Sequence, residues 1–151
     1  MKKLAVVILL LFLFCVVTGC SDASDSPSAG AGAPGGESEV IDLTEMSSTV
    51  VYTEVYNMVT TPDDYVGKTI KVDGLYTPSF FDTTGDYYHY ILVEDATACC
   101  QQGLEFVWEG DHAYPGDYPA EGEEILIEGV FTSYMELGEK YYYILTEDIS
   151  A

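Results

Sequence analysis

Apolar residues fall in three successive patterns along the chain. The first is an unbroken run from Leu4 to Val17, preceded by Lys2 and Lys3. A membrane-spanning helix needs roughly 20 apolar residues. This shorter run with a positive flank therefore predicts an export signal over residues 1–19. The second pattern is an absence. Ser21 to Ser38 is built of Ser, Asp, Gly, Ala, Pro and one Glu, with no aromatic residue. Such a stretch cannot bury enough surface to offset its ordering entropy. It predicts a flexible linker over residues 20–48, ending in a loosely docked lead-in, Val40-Ile41-Asp42-Leu43. The third pattern is periodic and marks a folded domain over residues 49–151.

Within that domain the period changes once. Val55, Met58 and Val59 lie at i, i+3 and i+4, which predicts a short helix over residues 52–59, with Thr53 as its candidate cap. Thr61-Pro62-Asp63-Asp64 predicts a second capped turn, with Pro in its first position and acids near its positive end. Beyond it the period is two. Ile70 and Val72 face one side, Lys71 and Asp73 the other. Five strands are predicted near 68–77, 87–94, 104–109, 123–132 and 140–147. Pro115, Gly116 and Pro119 make the segment 110–121 a loop.

The strands contain an internal echo. Gly67-Lys-Thr-Ile-Lys-Val-Asp-Gly-Leu-Tyr76 matches Gly122-Glu-Glu-Ile-Leu-Ile-Glu-Gly-Val-Phe131. Tyr90-Ile-Leu-Val-Glu-Asp95 matches Tyr143-Ile-Leu-Thr-Glu-Asp148. The echo predicts two related hairpin-like units. Gly74 and Gly129 fall inside strands, where glycine marks a bulge or bend, and bent strands let a small sheet close. The expectation is an all-β domain with one small N-terminal helix: a five-stranded, OB-like Greek-key barrel after a signal peptide and a disordered linker.

Two resemblances extend this reading. Val17-Thr18-Gly19-Cys20 resembles the lipobox of bacterial lipoproteins, a branched residue and two small ones before cysteine. The resemblance implies cleavage before Cys20, a diacylglyceryl group on its thiol, and a further fatty acyl chain, such as palmitate, on the freed amine. Two or more chains anchor stably. It also implies attachment to the cell membrane or outer membrane, with the domain facing the periplasm or the cell exterior. The helix, then Tyr65-Val66-Gly67-Lys68 and an Ile/Val strand, resembles the start of tRNA-anticodon-type OB domains of bacterial exported proteins. OB folds bind oligonucleotides or oligosaccharides on their second and third strands.

Charge removes one of those ligand classes. The chain has formal charge −21, with 26 acidic residues, five lysines and no arginine. Loss of Lys2 and Lys3 with the signal would take it to −23. Nucleic-acid binding depends on Lys and Arg neutralising phosphates, so no nucleic acid is expected as a partner. The field favours cations, basic peptides or polyamines.

Three groups of residues carry candidate chemistry. Cys99 and Cys100 are adjacent in the connection after the second strand. They can hold zinc or another soft metal, with help from His89, His112, Asp95 or Glu105. They can instead form a strained disulfide, or lie buried as small apolar side chains. Asp111-His112 is a candidate ligand pair or acid–base dyad. Thirteen tyrosines form the third group. Alternation places Tyr88 and Tyr90 on one sheet face, joined by Tyr142 of the last strand. Tyrosine, with an apolar body and polar tip, suits sugar stacking and protein interfaces. No G-x-S-x-G, H-E-x-x-H or phosphate-binding glycine loop occurs. The expected function is a lipid-anchored extracytoplasmic binding module and not an enzyme. It would contact an envelope protein or glycan through the tyrosine-rich face, or a metal or thiol ligand at Cys99-Cys100.

Overall fold

The computed structural model describes residues 39–151. The predicted signal, Cys20 and the linker as far as residue 38 lie outside the described residues. The elements are β1 (Val40–Asp42), α1 (Ser48–Thr60), a 3-10 turn (Pro62–Asp64), β2 (Thr69–Phe81), β3 (Asp86–Glu94), β4 (Gln101–Trp108), β5 (Glu124–Glu136) and β6 (Glu139–Ser150). The sheet order is β1-β2-β3-β4-β6-β5, and β2 also pairs with β5. That last pairing closes β2 to β6 into a five-stranded OB-like barrel, with β1 as an added strand.

Period-two alternation fills the interior. Ile70, Val72, Tyr76, Ile91, Phe106, Ile125, Ile127, Phe131 and Ile144 are all at most 1% exposed. The two echoed segments become β2 and β5, and they align in space. Tyr76 pairs with Ile91 as Phe131 pairs with Ile144. Between β2 and β5 the register runs Ile70 to Gly129, Val72 to Ile127 and Gly74 to Ile125. Exchanging the two repeats maps this pairing onto itself, so a local two-fold axis passes between Val72 and Ile127. β4 breaks the symmetry, running antiparallel to β3 and parallel to β6.

The glycine expectation holds at both echoed positions, for a packing reason. A Cβ on Gly74 would collide with the Leu92 carbonyl oxygen, and one on Gly129 with the Leu145 carbonyl oxygen. Leu92 and Leu145 are themselves echo-equivalent. At Leu75, next to Gly74, β2 passes from pairing with β5 to pairing with β3. β5 has a register shift against β6 between Ile127 and Gly129, and both glycines lie where strands meet closely in the closed barrel.

Other expectations need correction. The linker does not extend to residue 48. Val40–Asp42 pairs in parallel with β2, and Leu43 is fully buried, so the folded unit already includes residue 40. The helical stripe is Val51, Val55 and Met58. Val59 is half-exposed. Thr53 lies inside the helix, where its hydroxyl donates to the Thr49 carbonyl at 2.8 Å, and Ser47 occupies the cap position. α1 packs against β3 and β4. The β4–β5 connection is a loop, as expected, and it lays Tyr114 and Tyr118 against the core. Among the described residues, no helix is long and apolar enough to cross a membrane.

Candidate functional site

Strand parity sorts the tyrosines. Ile91 and Val93 point into the core, so Tyr88 and Tyr90 point out of β3. By the same rule Glu105 points out of β4, Tyr134 and Glu136 out of β5, and Tyr141 and Tyr143 out of β6. Tyr88, Tyr90, Tyr134 and Tyr141 wall a cleft of about 230 Å³, with Thr83, Thr84 and Leu137 at its rim. It lies over β3 and β4, between the β2–β3 and β5–β6 turns. In OB folds this face and these two loops hold the ligand.

Glu105 is the central group. It pairs with Tyr90 across β3–β4 and with Tyr143 across β4–β6. These two tyrosines are echo-equivalent, so Glu105 stands between the same position of the two repeats. The Tyr134 hydroxyl donates to its carboxylate at 3.0 Å. Burial pushes the Glu105 carboxyl up to about 7, opposed by the Tyr134 bond and reinforced by the charge of Glu136. The Tyr88 hydroxyl lies 2.7 Å from both Glu136 oxygens. Burial also pushes Tyr90 up to about 12. The cleft therefore presents two carboxylates, each oriented by a neutral phenol, between aromatic walls.

Of the tyrosines expected to form the face, Tyr88 and Tyr90 are there and Tyr142 is not. Ile144 points inward, so Tyr142 shares its side. Its ring stacks on Phe131, and its hydroxyl donates to Asp63 at 2.8 Å. Tyr134 and Glu136 were not singled out by the sequence. Continuing the β5 alternation four residues past its predicted end would have found them.

The histidines are not brought to the cysteines. His89 lies among aromatic rings, 3.9 Å from the Tyr118 centroid, with Nδ1 2.7 Å from the Tyr76 hydroxyl. Burial lowers it to about 4. His112 stacks on Trp108 at 3.5 Å, and its Nε2 lies 3.2 Å from the Glu109 carbonyl, so the structure pairs it with neither Asp111 nor the cysteines. Cys99 and Cys100 are exposed, free thiols with sulfurs 3.5 Å apart. Exposure removes the reading in which they are buried apolar side chains. Asp95 and Thr97 are residues they do meet: Asp95 Oδ1 accepts the Cys99 amide at 3.0 Å and its Oδ2 lies 3.4 Å from Cys99 Sγ, to which the Thr97 hydroxyl donates at 3.0 Å. Ligand atoms of Asp95, Cys99 and Cys100 all lie within 4.8 Å of one another.

No protein-family model matches the chain, and no curated protein matches it. The functional reading therefore rests on the residues of these two sites.

Proposed function

We propose that this protein is a lipid-anchored binding module of the bacterial envelope, which holds a segment of a protein or glycan partner in the tyrosine-walled cleft. The observation that carries the reading is the convergence of four tyrosines and two oriented carboxylates on the β3–β4 face. Aromatic faces supply contact area at low entropic cost, and the phenols and carboxylates supply directional hydrogen bonds. In this reading Cys20 carries the lipid, the domain faces the periplasm or cell exterior, and net charge of −21 disfavours nucleic acid. The test uses the full chain in mild detergent against arrayed envelope glycans and purified envelope proteins. A Tyr90→Ala/Tyr134→Ala variant with an unchanged circular dichroism spectrum should lose the ligand the native chain retains. Undiminished capture would refute the cleft as the binding surface.

A second reading has its own observation, the Asp95, Cys99 and Cys100 cluster in the β3–β4 turn. Two thiolates and a carboxylate form a donor set suited to zinc or another soft metal, with a fourth position left to water or a partner. Stoichiometric zinc uptake that vanishes in Cys99→Ser/Cys100→Ser would support it. Uptake unchanged in that variant would place the metal elsewhere.

A further inference from the structure

No lysine among the described residues is paired with the carboxyl groups of the cleft. These lysines are Lys68, Lys71 and Lys140. Each is paired elsewhere, with Glu39 at 3.2 Å, Asp42 at 3.1 Å and Asp63 at 2.7 Å. Lys140 shares an adjoining hollow with Tyr90 and Glu105, but it is drawn to Asp63 and lies over the Tyr142 ring. The groups that reach Glu105 and Glu136 are phenols, which orient a carboxylate without cancelling its charge.

We propose that the cleft binds an organic ammonium group, a primary amine on a flexible carbon chain. The ammonium would sit between Glu105 and Glu136, with its methylenes against Tyr88, Tyr90, Tyr134 and Tyr141. The inference rests on the binding-module reading and names the chemistry of the ligand.

Four features converge on this class. Tyrosine faces attract cations. Hydrogen bonds from an ammonium to carboxylates are charge-assisted and short. The acidic surface around the cleft concentrates cations at its mouth. At about 230 Å³ the cleft is smaller than most ligand pockets, which suits a single chain end and not a bulky ring system. A bare divalent metal would need six or more oxygens, whereas here aromatic rings form the walls.

Binding should be coupled to proton release. Glu105 shares hollows with Tyr88, Tyr90 and Asp86 of β3, Tyr134 and Glu136 of β5, and Lys140, Tyr141 and Tyr143 of β6. Among these only Tyr134 donates to it, so an arriving ammonium would favour its ionised form.

The test titrates the full chain in mild detergent by calorimetry at low salt. The probes are spermidine, Nα-acetyl-lysine amide, calcium and a neutral N-acetylglucosamine tetramer. An amine should bind at one site, about tenfold tighter at pH 8 than at pH 6 if its grip follows the ionised fraction of Glu105. Glu105→Gln should weaken it about tenfold or more at pH 8 and remove the pH dependence. Spermidine binding alone identifies a free polyamine; binding of the lysine derivative identifies a protein side chain. The proposal is overturned if neither amine saturates, if Glu105→Gln binds amine as well as the native chain, or if calcium alone binds. Binding of the neutral tetramer, lost in Tyr90→Ala but kept in Glu105→Gln, would overturn the ammonium while leaving the binding module intact. Failure of every probe, together with unchanged partner capture by the tyrosine variants, would overturn both.

Discussion

Two half-buried ionisable residues of this barrel respond to pH in opposite directions. Glu105 is raised from 4.5 to about 7. The folded chain thus holds more protons there than the unfolded chain, and its contribution to stability, full below pH 4.5, is lost as pH rises through 7. His89 is lowered from 6.5 to about 4. Its contribution is full above pH 6.5 and is lost as pH falls through 4. The two slopes oppose each other between about pH 4.5 and 6.5. Relative to the native chain, Glu105→Gln should gain stability steadily from pH 4.5 to 7, and His89→Asn should gain it from pH 6.5 down to 4. Urea midpoints across this range provide the check. A pH-independent difference for either variant would mean that its group is not desolvated as described. His89 was legible from the sequence only as a strand residue between two tyrosines. Its environment is made by Tyr76 and Tyr118, 13 residues before it and 29 after it in the chain, and no local pattern encodes that meeting.

At the scale of elements, the echoed glycines and β1 carry the sharpest expectations. Gly129→Ala forces a methyl group against the Leu145 backbone carbonyl, which cannot yield as a side chain would. We expect a loss of about 3 kcal/mol, read as a lower urea midpoint at unchanged slope. Gly74→Ala should behave alike, because it meets the equivalent carbonyl of Leu92. A mild effect at both sites would contradict the close approach. Leu43→Ala should cost about 3 kcal/mol if residues 40–43 are part of the core. A cost near zero would return them to a loose lead-in. The glycines were visible in the sequence because two copies of one pattern flag them. β1 was obscure because a three-residue strand is too short to show a period. The ends of β2 and β5 were missed for another reason. Past Phe131 the inward positions of β5 are Ser133 and Met135, the latter 67% exposed. The strand there projects beyond the core and carries no hydrophobic alternation to read. Tyr134 and Glu136 lie on that projecting part.

For the whole molecule, acidity bears on the proposed anchoring. A chain of net charge −21 is repelled by an anionic bilayer surface, so a lipid on Cys20 would have to supply the attachment. Cys20→Ala should release the chain from the membrane fraction or leave it unprocessed, as judged by fractionation and intact mass. Unchanged retention and processing would refute the anchor. On the folded domain the cleft opens between the tips of two echo-equivalent hairpins, and β4, which has no counterpart in the echo, places Glu105 between them.

By itself the sequence determined the barrel class: alternation sets which side chains face inward, the echo marks two related hairpin-like units, and the paired glycines mark where backbones come close. These are local properties, since strand periodicity and backbone sterics act over a few residues. Only the tertiary structure decided which polar groups meet. It joined Tyr88 to Glu136 and Tyr134 to Glu105, drew Tyr142 away to Asp63, and parted both histidines from the cysteines. Those meetings depend on register between strands far apart in the chain and on where β4 inserts, and neither is written in any short stretch of residues.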